Sequence, residues 1–176
     1  YWSGYVKASY HWGAYRRLEY MLRHLDNYYM RHYKDLDITV NQLFACSFTD
    51  REQRLLVSHP IKLRLWVTGS VSYTQRYYDQ SFTEFDSDIF TTTLKVSKKF
   101  RDFGTISLEG VYGIADNITF GKGAKSSDLD RSYRHTELYL PLSFDQGMLG
   151  FEVVGFSLRT DFRQYEVEDI GDPLHS

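Results

Sequence analysis

Chemistry-bearing side chains recur along this sequence at alternate positions. Asp35, Asp37 and Asn41 alternate with Leu36, Ile38 and Val40, and Lys62, Arg64 and Thr68 fall between Ile61, Leu63, Leu65 and Val67. Lys95, Glu109, His135 and Glu137 likewise lie opposite the apolar residues of their strands. Carboxylates such as Glu109 and Glu137 have the chemistry for acid and base roles. His135-Thr136-Glu137 has the His-x-Glu spacing of zinc deaminases, but the Pro-Cys-x-x-Cys half is missing. Gly121-Lys122-Gly123-Ala124-Lys125 offers backbone amides and two lysines to an anion, and reads more simply as a solvated loop tip. There is no Gly-x-Ser-x-Gly elbow, His-Glu-x-x-His, P-loop or complete Gly-x-Gly-x-x-Gly. No catalytic residue, metal ligand or cofactor is therefore assigned. The alternating charges read as the lining of one polar face.

Composition narrows the setting of that face. The 176 residues suit one domain, and a net charge of -2 from 21 basic and 23 acidic residues supplies no field that would hold nucleic acid. Aromatic residues make up 17%, with 15 Tyr and 12 Phe. Tyrosine suits a boundary between apolar and wet surroundings, because its ring is apolar and its hydroxyl is not. Cys46 is the only cysteine, which excludes an internal disulfide and multi-cysteine metal sites. No apolar run reaches the ~18 residues of a membrane-spanning helix, in keeping with a mean hydropathy of -0.46. Spanning strands escape that test, since only every second residue faces lipid. The chain begins at Tyr1 without a signal peptide and reads as a processed or excised form. Asn117-Ile118-Thr119 fits the glycosylation pattern, which matters only on a eukaryotic secretory route.

The elements that must position the polar face are strands. Period two holds from Ile61 to Tyr77, with Leu65, Val67, Val71 and Tyr73 opposite Trp66, Thr68, Ser70 and Ser72. Ile89 to Lys99, Thr105 to Ala115, Ser132 to Phe144 and Leu149 to Tyr165 have the same texture. Pro141 predicts irregular pairing within its strand. Arg101 to Gly104 and Asp145 to Gly147 read as tight turns, while Tyr78 to Asp88 and Asp116 to Arg131 are long and polar. Alternating short and long connections are expected of a barrel with turns at one rim and loops at the other.

The first third admits two readings. At period two, Val6, Ala8, Tyr10, Trp12, Ala14, Leu18, Tyr20 and Leu22 make one face before a turn near Leu25-Asp26-Asn27, and an eighth strand would come from splitting Tyr1 to Leu22 in two. A second strand would then carry Leu36, Ile38, Val40 and Phe44, and Cys46 to Pro60 would be a long connection or a short extra element. At helical spacing, Ala14, Leu18, Met21, Leu22, Leu25 and Tyr29 also align. That alternative is a soluble α+β ligand-binding module, with a helix from Ala14 to Asp35 on an antiparallel sheet and a Tyr-rich groove. A carboxylate-based hydrolase is a third reading.

Thr136-Glu137-Leu138-Tyr139-Leu140-Pro141-Leu142-Ser143-Phe144 resembles a strand of the monomeric outer-membrane porins, the group of the G-type and oligogalacturonate-specific channels. Lys99-Phe100 and the stretch Ile106 to Tyr112 are similar to that group in rhythm, and the likeness runs from about His59 to Phe162. It implies an all-β fold, an antiparallel transmembrane β-barrel of about eight or more strands, of which the chain is the whole or a part. It further implies a bacterial outer-membrane location and passive diffusion of ions and small hydrophilic solutes, saccharides among the candidates. The partners would be the lipid bilayer and the solutes, with no cofactor. Asp35, Asp37, Asn41, Lys62, Arg64, Thr68, Lys95, Glu109, His135 and Glu137 are the expected pore-lining residues.

Overall fold

A computed structural model describes residues 2–13, 15–34, 43–62, 64–79, 83–100, 104–118, 130–145 and 153–165. They form eight antiparallel strands in one sheet: β1 (Trp2–Trp12), β2 (Arg16–Lys34), β3 (Leu43–Lys62), β4 (Leu65–Tyr78), β5 (Ser87–Phe100), β6 (Gly104–Asn117), β7 (Tyr133–Asp145) and β8 (Val153–Tyr165). Spatial order equals chain order, so the sheet is a pure meander. Among the described residues β1 and β8 are its two edges, no pairing joins them, and a 3-10 turn at Thr83–Phe85 is the one helical element.

The strands are long. β2 has 19 residues and β3 has 20, against ~5–6 in ordinary globular strands. Threonine-rich runs such as Thr91-Thr92-Thr93 in β5 favour the pleated backbone through their branched side chains. Connections alternate between the two ends of the sheet: β1–β2, β3–β4 and β5–β6 turn within a few residues, while β4–β5 and β6–β7 span 79–86 and 118–132.

Several expectations for the first third are corrected. The helix expected from Ala14 to Asp35 is replaced by β2, which runs from Arg16 to Lys34, so the helix-on-sheet architecture is overturned. Leu25-Asp26-Asn27 is no turn: β2 continues through a register shift there, with Asn27 at a φ of 48° absorbing the extra residue. The reversal comes earlier, where Gly13 and Tyr15 adopt positive φ. Cys46 to Pro60, expected as a connection, forms most of β3. Ile61 to Tyr77 is not one strand either, because the chain reverses between Lys62 and Leu65 with Arg64 at a φ of 62°. Neither reversal carries an Asn-Gly or Asp-Gly pair, the composition that usually marks one.

The later strands match their expected ranges closely. Pro141 sits opposite Ser157 in β8, and the ladder to β6 skips the positions opposite Leu140 and Pro141, where an amide donor is missing.

Among the described residues no second layer covers either face, yet in the central strands the two faces differ in exposure. Leu94, Leu108, Leu138 and Leu158 are 56%, 48%, 50% and 55% exposed, whereas Glu19 and Asp50 are 6% and 3%. In a single sheet such asymmetry follows from curvature: side chains on the inside of the curve crowd one another and those outside splay apart. The apolar parity is outside and the polar parity inside, the reverse of a soluble half-covered sheet.

Candidate functional site

The polar face is built by register. Cross-strand partners share a face, so Ser58, Thr68, Lys95, Glu109, Tyr139 and Arg159 form one rung across β3 to β8. The next carries Glu19, Leu56, Ser70, Thr93, Val111, Glu137 and Asp161. Beyond it lie Met21, Arg54, Ser72, Thr91, Gly113, His135 and Arg163.

Several charges on this face meet opposite charges. Lys95 Nζ lies 3.3 Å from Glu109 Oε2, Arg159 Nη2 2.7 Å from Glu137 Oε2, and Arg23 Nη2 2.9 Å from Glu52 Oε2. Glu19 is approached at 3.6 Å by both Lys7 and Arg17. Glu137 and Asp161 are directly opposed like charges, a destabilising arrangement offset here by Arg159 on one and Arg163 on the other. Opposite signs at short range cancel at long range, which leaves a polar surface of weak net field.

Toward the end with the longer connections the face is closed off by packing. Among the described residues Cys46, Phe48, Ile89 and Ala115 are the buried apolar ones, and all lie on this side near that end. The ring of Phe48 is flanked by Tyr28 and Tyr78, and Phe85 from the 3-10 turn packs on Tyr78. Asp86 anchors that turn: its carboxylate accepts the Tyr78 amide at 2.6 Å, and its carbonyl accepts from the Ile118 amide and from Asn117 Nδ2. Asn117 is therefore buried and engaged.

Of the expected lining residues, Thr68, Lys95, Glu109, His135 and Glu137 share the polar face within three adjacent rungs. Thr68 Oγ1 donates to Ser58 Oγ at 3.1 Å, and the imidazole of His135 lies over Gly113, where a Cβ would overlap it. Lys62 and Arg64 are not on that face: Lys62 is exposed opposite Leu65 after a register shift, and Arg64 is in the reversal. Asp35, Asp37 and Asn41, like the Gly121 to Lys125 loop, lie outside the described residues. Sequence reasoning missed Glu19, Asp50, Glu52, Arg76, Arg159 and Asp161. For Asp50 and Glu52 in β3 and Arg159 and Asp161 in β8 the usable signal was period-two spacing, obscured in β3 by polar residues at the alternate positions Arg51 and Gln53. Glu109 and Glu137, candidates for acid and base, are each held by a cation. Among the described residues no group of three metal-ligating side chains gathers.

The outer face carries an apolar band. One rung runs Tyr20, Leu55, Val71, Thr92, Tyr112, Thr136 and Phe162, and the next Leu18, Val57, Gly69, Leu94, Gly110, Leu138 and Thr160. On β4 the band extends from Leu65 to Tyr73, eight steps or about 27 Å along the strand. Tilted as membrane strands are, it would stand on the order of 20 Å tall, near the ~25 Å of known outer-membrane barrels. Above it come His24, Arg51, Gln75, Asp88 and Asp116, while along its lowest rungs His59 stands opposite Val67 and Lys98 between Leu65 and Ile106.

Fold and faces together define an all-β protein of one meander sheet, apolar outside and charged inside. Comparison with protein-family models, curated proteins and solved structures finds no match.

Proposed function

We propose that the chain contributes eight strands to a bacterial outer-membrane β-barrel of the porin type, through which ions and small hydrophilic solutes diffuse passively. The observation that carries this reading is the inverted sheet, with half-exposed leucines outside and nearly buried carboxylates inside. In water such a surface would be an aggregation liability; in a bilayer it is the ordinary arrangement. Long strands, alternating short and long connections, and a polar rim above the apolar band support it further. So does the resemblance of residues 136–144 to a porin strand.

Eight strands closed on themselves leave an interior that side chains fill, and the large ion-paired residues here would fill it. A water-filled lumen requires more strands, so in the channel reading β1 and β8 pair with strands of a further copy of the chain rather than with each other. Transport is passive, with no cofactor and no turnover, and the mixed charges make it weakly selective.

The test is to refold the chain into detergent micelles, compare its migration in SDS with and without boiling, and then record conductance across planar bilayers. A heat-dependent shift with stepwise conductance is expected. A chain that stays monomeric in buffer without detergent and shows no shift would sink the proposal.

A further inference from the structure

At one outer-face site a cation without a carboxylate partner among the described residues borders a hollow. At the upper edge of the apolar band, Gly4, His24, Arg51 and Gln75 form a rung across β1 to β4, directly above Val6, Leu22, Gln53 and Tyr73. His24 and Arg51 are direct cross-strand partners. Arg51 is exposed, and among the described residues it has no carboxylate in ion-pair range; its guanidinium lies 6.0 Å from the Tyr77 ring centre. The nearest outer carboxylate in β2, Asp26 opposite Trp2, is engaged by the Thr49 hydroxyl at 3.3 Å. Asp88 and Asp116 lie farther along the same rung, on β5 and β6.

These residues border a hollow of about 510 Å³ whose other walls include Trp2, Val6 and Leu22. Trp2 leans on His24, with ring centres 4.9 Å apart. Arg23, Glu52 and Gln53 also border it, Arg23 and Glu52 being paired with each other. Among the described residues Arg51 is thus the charge left without a partner at its upper side, over Val6 and Leu22 below, and the Trp2 indole leans in from the rung above His24. Indoles favour the headgroup level of a bilayer, and an arginine presents a planar fork that matches phosphate oxygens.

We infer that this hollow seats an anionic membrane lipid, its phosphate against Arg51 and His24 and its acyl chain descending over Val6 and Leu22. The inference rests on the membrane reading above. Charge complementarity selects this occupant: an apolar partner segment would leave Arg51 unpaired, and a zwitterionic lipid would bring its own cation to the same place.

The chain is refolded in micelles, its insertion confirmed by the heat-dependent gel shift, and retained lipids counted by native mass spectrometry after adding phosphatidylglycerol or phosphatidylcholine. The wild type should retain phosphatidylglycerol at least about fivefold better. Arg51→Gln with His24→Gln should abolish that preference while the gel shift persists, and Lys98→Gln at the lower end of the band should leave it intact. Equal retention of the two lipids by the wild type, or a preference that survives the double substitution, overturns the inference while the gel shift keeps the barrel reading standing. Absence of the gel shift overturns both.

Discussion

Arg76 and Asp50 face each other across β4 and β3 in a two-pronged ion pair, Nε to Oδ1 at 2.8 Å and Nη2 to Oδ2 at 2.9 Å. The guanidinium also covers the Phe48 ring at 4.3 Å. This pair ties the charged face to the aromatic packing that closes one end of the sheet.

Removing one partner leaves the other enclosed and uncompensated. Arg76→Met is expected to cost about 3 kcal/mol, measured by urea unfolding in micelles, whereas Arg76→Met combined with Asp50→Leu should cost clearly less. A double variant as unstable as the single one would mean that the aromatic contact, not the charge, dominates.

Adjacent residues of β5 should respond oppositely to a charge. Leu94→Arg places a guanidinium in the middle of the apolar band and should cost about 2–4 kcal/mol in a bilayer. Thr93→Arg, on the polar face, should be near neutral. For a sheet whose exposed leucines face water, Leu94→Arg would be the harmless one.

How much of this was legible in the sequence depends on where a strand crosses the band. In β5 and β7 the band and the strand nearly coincide, so Phe90, Leu94 and Val96, or Leu138, Leu140 and Leu142, stand out at period two. β2 and β3 run well beyond the band, and there His24, Arg51 and Gln53 replace apolar residues on the outer parity. That erased the alternation and let a helix compete. The two hidden reversals, at Tyr15 and Arg64, use left-handed conformations at residues whose type gives no warning. The polar-face charges of β5 to β7 were legible because the apolar residues opposite them were. Those of β2 and β3 were not, because pairing across strands is set by register rather than by any local pattern.

His135 and Gly113 should behave as one unit. Gly113→Ala would push the imidazole off its seat, and a further His135→Ala should then add little, so a double-mutant cycle is expected to be strongly non-additive. Additive losses would show that the histidine moves aside freely.

Neutralising one member of the Lys95 and Glu109 pair should tilt ion selectivity without changing the fold. Lys95→Gln is expected to move the reversal potential toward cation preference and Glu109→Gln toward anions, read in bilayers under a salt gradient. Unchanged potentials in both would place the pair outside the ion path.

The most direct test of the inverted sheet is nitroxide labelling at successive positions of β5, 91 to 96, in a Cys46→Ser background reconstituted in bilayers. Labels at 92, 94 and 96 should be accessible to oxygen dissolved in lipid, and labels at 91, 93 and 95 to a water-soluble nickel chelate. Equal accessibility on both parities, or nickel access at 92, 94 and 96, would contradict a lipid-facing apolar band.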